Sequence, residues 1–177
     1  MRSCTIDSSC VIALDHLDLI PKLSFLFSVV LIPKAVRKDL FRRRNTKDRV
    51  RSFFQNYDFF RPCNDYDQAS VDLLLMDRRR TGTRDRGEAE AVAQAAQFGA
   101  AVIVDDRWGR DLAARFSLEY HGTLWVLQRF HELGLLTSAE VRECFVSLQR
   151  RGLRLPADTV DKFLRNVGEE PVFSRLI

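Results

Sequence analysis

Gly87-Glu88-Ala89-Glu90-Ala91-Val92-Ala93-Gln94-Ala95-Ala96-Gln97-Phe98-Gly99-Ala100-Ala101-Val102-Ile103-Val104-Asp105-Asp106 is the stretch that decides the fold. Its first half is an Ala-rich helix, and Gly99 is the residue type that ends helices by taking the left-handed cap conformation. Ala101-Val102-Ile103-Val104 is then a short apolar run of the kind found in strands buried on both faces, the habit of a parallel sheet. Two acids close it. Parallel sheets gather their functional groups at strand C-terminal ends, so Asp105 and Asp106 stand where a site is built.

Outward from there, the same alternation recurs. Residues 2–6 read as a first strand ended by Asp7, with Ser8 or Ser9 as the cap of a helix whose apolar residues include Val11, Ile12 and Leu14. Residues 28–32 are a second strand rich in β-branched residues, and Pro33 suits the opening turn of a helix. A helix over 46–56, a short strand at Phe59-Phe60 ended by Pro62, and a helix over 67–79 follow, then a loop at Thr81-Gly82-Thr83. Beyond the opening stretch come a helix over 107–116, a short segment near 118–120, and helices over 124–133, 138–150 and 158–166. Alternating strands and helices predict an α/β fold, a three-layer α/β/α sandwich around a central parallel sheet. The expected organisation is one domain over 1–177, with a core of about 1–136 and a helical C-terminal extension over 137–177.

Length and charge allow this without demanding it. A chain of 177 residues with 46% hydrophobic content can bury a sizeable core. A net charge of +4 is compatible with a polyanionic partner. The longest apolar stretch, 23–33, is broken by Ser24 and Ser28 and is too short to span a bilayer. Asp7 interrupts what would be the apolar part of a secretory signal. Cys4, Cys10, Cys63 and Cys144 form no CxxC pair and match no spacing to His16, His121 or His131, so reduced thiols in the cytoplasm are expected rather than zinc.

Asp7, Glu88 with Glu90, and Asp105 with Asp106 come from distant parts of the chain to element junctions. Carboxylates gathered in one place repel one another unless a cation lies between them, and hard oxygen donors favour Mg²⁺ or Mn²⁺. Each acid also has a plainer reading. A strand-end Asp is commonly a turn or cap residue, a Glu in a first helical turn complements the helix dipole, and Asp105-Asp106 could cap the helix at Arg107. Two basic runs lie beside the acids, 42–51 and 78–86. In them Arg42, Arg43, Arg44, Arg78, Arg79 and Arg80 are candidates for holding a phosphate backbone, against the alternative of a solvated charged face. Phe53, Phe54, Tyr57, Phe59 and Phe60 read as core before they read as a base-stacking platform.

Ile6-Asp7-Ser8-Ser9, Leu31-Ile32-Pro33-Lys34-Ala35-Val36-Arg37-Lys38-Asp39-Leu40, Gly87-Glu88-Ala89-Glu90-Ala91-Val92-Ala93, Ile103-Val104-Asp105-Asp106-Arg107 and Gly122-Thr123-Leu124 with Glu132-Leu133-Gly134-Leu135-Leu136 follow in a telling order. Over roughly residues 4–136 this order and spacing resemble the PIN domain, a family of metal-dependent ribonucleases, and look closest to its VapC-like toxin branch. The resemblance implies catalytic acids at Asp7, Asp39, Glu88 and Asp106. Asp7, Glu88 and Asp106 would be the ligands of Mg²⁺ or Mn²⁺, and Asp39 would orient a water or act as its base. Asp stands at 39 where Glu is usual and Glu at 88 where Asp is usual, each a change of one methylene in reach. The resemblance further implies RNA as substrate and a small antitoxin protein as partner, leaves room for a homodimer, and involves no membrane. A non-cleaving PIN-like RNA-binding protein is the alternative. A phosphotransferase of another α/β fold is disfavoured, since no P-loop GxxxxGK[ST] follows a strand.

Overall fold

The computed structural model describes residues 2–42, 44–76, 85–153 and 155–174, and the chain divides into two compact units, Met1–Gly122 and Thr123–Ile177. The first unit is built on five strands: β1 (Arg2–Ile6), β2 (Phe27–Ile32), β3 (Phe60–Pro62), β4 (Ala101–Ile103) and β5 (Tyr120–His121). All pair in parallel, in the order β3-β2-β1-β4-β5. Around them run α1 (Ser8–His16), a 3₁₀ helix (Ile20–Phe25), α2 (Lys34–Arg42), α3 (Arg44–Asn56), α4 (Gln68–Met76), α5 (Arg86–Phe98) and α6 (Arg107–Arg115). This is the α/β/α sandwich that the strand–helix alternation predicts.

The central strands show why apolar continuity was the right signal. Cys4, Ile6, Val102 and Ile103 are fully buried, as a strand covered by helices on both faces requires. Thr5 is buried too, and its hydroxyl donates to the Ala91 carbonyl at 2.9 Å, which ties β1 to α5 without leaving a polar group unmet. Gly99 ends α5 at φ 59°, where a side chain would be strained. Under α3, Phe53, Phe54, Tyr57, Phe59 and Phe60 pack ring to ring at centroid separations of 5.3 to 6.3 Å, with Phe60 buried. Phe60 belongs to the core, and the other four rings are half-buried around it. One element escaped the pattern: the apolar stretch over 23–33 divides into the end of the 3₁₀ helix and β2, because Pro21 and a run of i→i+3 bonds carry the chain round before the strand begins.

The strand order positions the site. From β1 the chain leaves toward β2 on one side, and from β4 it leaves toward β5 on the other. Connections that part in opposite directions open a crevice at the carboxyl ends of the two adjacent strands. Ile6 pairs with Ile103 in register, and the Asp7 amide continues the ladder to the Ile103 carbonyl at 2.9 Å. Asp7 and Asp105-Asp106 therefore emerge side by side.

The second unit is helical throughout its described residues: α7 (Thr123–Glu132), α8 (Ser138–Arg150) and α9 (Ala157–Asn166). A capping box between Thr137 and Glu140 starts α8. Phe163 meets both Phe145 and His131 edge-on, at 6.2 and 5.9 Å. Asp161, buried on α9, accepts the backbone N–H groups of Val172, Phe173 and Ser174 at 2.7 to 3.0 Å and the Ser174 hydroxyl, which fixes the segment after the helix. Among the described residues no helix is long and apolar enough to cross a membrane.

Candidate metal centre

Asp7 leaves β1 extended, at φ −78° and ψ 156°, and is itself the N-cap of α1. Its Oδ2 accepts the Ser9 amide at 3.0 Å and the Ser9 hydroxyl at 2.5 Å, while the Ser8 hydroxyl stands 3.4 Å from Oδ1. The expectation that Ser8 or Ser9 caps this helix is thus corrected. The cap belongs to the residue still extended, one position earlier, and the serines hold its carboxylate. Asp7 is only 3% exposed.

Two glycines bring the other acids in. A Cβ at Gly87 would lie 3.5 Å from Asp7 Oδ1 and 3.9 Å from Asp39 Oδ2, so both carboxylates flank the same point at the start of α5. A Cβ at Gly109 would meet Val104 at 2.6 Å and the Glu88 stem at 3.3 Å; its absence lets α6 close over Glu88. Asp106 caps α6, with Oδ1 accepting the Trp108 amide at 2.8 Å, and is exposed. Asp105 is half-buried, and its Oδ2 lies 3.4 Å from the Cys10 thiol. Since β4 ends at Ile103, strand alternation does not govern this pair. The charge of Asp105 is felt at Asp7 and that of Asp106 at Glu88.

Charge records the crowding. Burial raises the Asp7 carboxyl above its ordinary value; the Ser9 and Ser8 hydrogen bonds offset part of this, and the negative charge of Asp105 adds to it. Burial, then the charge of Asp7, and further those of Asp106 and Asp85 push Glu88 up to about 8, against one opposing backbone hydrogen bond. Glu88 Oε2 is buried and has no hydrogen-bond partner among the described residues. Such an atom costs the fold free energy unless something else meets it. Glu90, two residues on, is the reverse case. It accepts the Ala35 amide at 2.7 Å and pairs with Arg86 at 3.0 Å, which secures the start of α2. Residues two apart on a helix point about 200° apart, so Glu88 faces the charge of Asp7 while Glu90 faces Ala35 and Arg86.

A family model described as a PIN domain matches residues 3–169. The chain belongs to the PIN-domain family. A search of curated proteins finds no match. PIN domains are generally nucleases that use divalent metal ions, and the acids of this one suit such an ion: the donors are hard oxygens, one buried oxygen has no partner among the described residues, and burial first, then the charge of Asp105 at Asp7 and of Asp7 at Glu88, holds two carboxyls above their ordinary range. Among the described residues no group of three or more His, Cys, Asp or Glu side chains is arranged to hold a metal ion. Mg²⁺ does not require one, since it keeps several waters and takes one or two carboxylates directly.

The remaining candidates divide. In this PIN domain Asp39 is half-buried on α2, with Arg42 Nη1 at 3.3 Å from its Oδ1. Arg49, from the same basic run, is a tie within the fold: it reaches Asp15 at 2.7 Å, the Asp15 carbonyl at 3.1 Å, and Asp18. Arg43, Arg78, Arg79 and Arg80 lie outside the described residues, and for Arg44 only its place at the start of α3 is described. His121 pairs with Glu119 at 2.9 Å and His131 with the Leu136 carbonyl at 3.1 Å, both structural contacts. Sequence reasoning missed Gly87 and Gly109 as packing requirements and Arg110 beside Asp105. Small residues directly before one acid and shortly after another were the available signal.

Proposed function

We propose that this PIN domain is a metal-dependent endoribonuclease and the toxin component of a toxin–antitoxin pair, restrained by a small antitoxin protein. The observation that carries the catalytic reading is Glu88: a buried carboxylate oxygen without a partner, beside Asp7, in the crevice between β1 and β4. Asp7, Glu88 and Asp106 would hold Mg²⁺ or Mn²⁺, with Asp105 close enough to share in its field. When bound, the ion would acidify a water and neutralise charge on the scissile phosphate. The chain's own groups do the rest. Ser9 fixes the Asp7 carboxylate through two hydrogen bonds, so that it need not reorganise when substrate arrives. Asp39, across Gly87 from Asp7, orients or accepts the proton of the attacking water. Arg42, beside Asp39, places a cation where the phosphate backbone would enter.

The purified protein is expected to cleave RNA with saturable dependence on Mg²⁺ or Mn²⁺ and to stop reversibly in EDTA. Asp7→Asn should abolish cleavage with the fold intact, since Asn still caps a helix but lacks the charge. Expression alone should slow growth, and Asp7→Asn should relieve it. Cleavage by Asp7→Asn at the wild-type rate would sink the mechanism; a harmless, well-expressed wild type would remove the toxin role alone. The second reading, a non-cleaving RNA-binding PIN domain, draws support from the Arg42–Asp39 ion pair, which occupies one oxygen of the proposed base. RNA binding without any metal-dependent cleavage would select it.

A further inference from the structure

We infer that Arg110 is a positioning residue for the acid ring, acting through Asp105, and that Gly122 is the space that lets it do so; this rests on the metal-dependent reading above. Arg110 lies on the first turn of α6 and folds back over the β4–α6 turn. Its Nε donates to the Val104 carbonyl at 3.1 Å, and its Nη2 lies 3.6 Å from Asp105 Oδ1. One guanidinium thus straps both the backbone just beyond β4 and the carboxylate that follows. The rigid fork of arginine can do this; the single ammonium of lysine cannot reproduce it.

The other oxygen of Asp105 faces the Cys10 thiol, on the first turn of the helix that Asp7 caps. Asp105 is held between α1 and α6 in this way, with its charge felt at Asp7. Gly122, directly after β5, closes the arrangement. A Cβ there would fall deep inside van der Waals contact with both Arg110 Nη2 and Asp105 Oδ1. Its φ is not among the positive values, so the backbone conformation does not call for glycine; the space does. A half-exposed ion pair contributes little to stability. Its consequence is direction: without Arg110 the Asp105 carboxylate loses the cation that holds Oδ1, while the Cys10 contact stays at Oδ2.

The test is Mn²⁺ affinity, read from the free-ion electron paramagnetic resonance signal, which needs no substrate and no turnover. Partners of this kind typically change metal affinity 10- to 100-fold. Arg110→Met, which keeps the stem and loses the fork, should weaken Mn²⁺ binding about tenfold or more, and Arg110→Lys should recover only part of it. Gly122→Ala should weaken it similarly by displacing the same two groups. In an Asp105→Asn background the Arg110→Met substitution should cost much less, because its route is removed. Tight wild-type binding with unchanged affinity in Arg110→Met, or an equal loss in the Asp105→Asn background, overturns the positioning role and leaves the nuclease reading standing. A wild type that binds no Mn²⁺ overturns both.

Discussion

Asp161, buried on α9, and Glu88, half-buried with one oxygen shut off from solvent, end in opposite electrostatic states. Burial alone would raise Asp161 in the helical unit, but the Ser174 hydroxyl and the amides of Phe173, Ser174 and Val172 outweigh it and bring the carboxyl down to about 2. Burial raises Glu88 in the sheet unit as well, and neighbouring charges reinforce the shift, Asp7 most strongly, carrying it to about 8. The first is a structural carboxylate, fully met by donors of its own chain. The second stands among other acids and has an oxygen that no group among the described residues meets. The fold satisfies the one acid completely and leaves the other with an unmet oxygen among like charges, which is where the proposed cation would supply the missing charge.

The largest expected effect separates Glu88 from its near neighbour. Glu88→Gln should lower RNA cleavage about a hundredfold or more, the scale of losing a catalytic electrostatic group. In the metal-free protein at pH 8 it should also raise the melting temperature, since a neutral amide removes a charge that the site disfavours. Glu90→Gln should do the opposite on both counts. It should spare most cleavage but destabilise the fold by roughly 1–3 kcal/mol, through weakened hydrogen bonds to Ala35 and Arg86. Single-turnover cleavage and thermal melts of the two variants decide it. A greater cleavage loss at Glu90 would break the comparison.

The two carboxyls also predict opposite pH limbs. Glu88 has a folded value near 8 against an ordinary 4.5, so the native state holds a proton that the unfolded chain has lost. Its contribution to stability is present in full below about 4.5 and is lost as pH rises to about 8. Asp161, near 2 against an ordinary 3.8, contributes above 3.8 and loses that contribution as pH falls toward 2. Metal-free protein should therefore weaken between pH 5 and 8. Mg²⁺ should flatten that limb by favouring the ionised acids, and should leave the acid limb alone. Glu88→Gln should reduce the first and Asp161→Asn the second. Denaturant unfolding across pH, with and without Mg²⁺, is the measurement; an alkaline limb untouched by both Mg²⁺ and Glu88→Gln would refute the assignment.

Where periodicity and chemistry coincided, the sequence was readable. Residues 101–104 announced a buried strand by apolar continuity, Gly99 announced the turn before it, and the acids after both strands followed from where a parallel sheet ends. The strand order put β1 beside β4, which no local pattern encodes, and that adjacency is what gathers Asp7 with Asp105. The role of Glu90 was equally hidden, since Ala35 is 55 positions away and the contact exists only in the fold. The serines after Asp7 were misread because Ser and Asp are near-equal caps, and only the backbone shows which residue is the last extended one. Gly87, Gly109 and Gly122 could be seen in the sequence; what each makes room for could not.

The smallest effect concerns the basic runs, and it asks whether the acid ring has a phosphate-holding margin at all. Arg42 is exposed and stands beside Asp39, the proposed base, whereas Arg49 is committed to Asp15 and Asp18. Cations that meet phosphates release counterions from the RNA, so each lost contact should make the slope of log affinity against log salt shallower by about 0.7 for a single strand. Neutralising Arg42, Arg43 and Arg44 together, or Arg78, Arg79 and Arg80 together, should therefore change the slope by up to about 2. Arg49→Gln should instead lower stability and leave the slope in place, because its charge is already matched within the fold. Binding titrations on cleavage-dead Asp7→Asn protein, at several salt concentrations, separate these effects from turnover. If the slope is unchanged in both triple variants, those arginines only solvate the surface, and phosphate must be held by the metal site without their help.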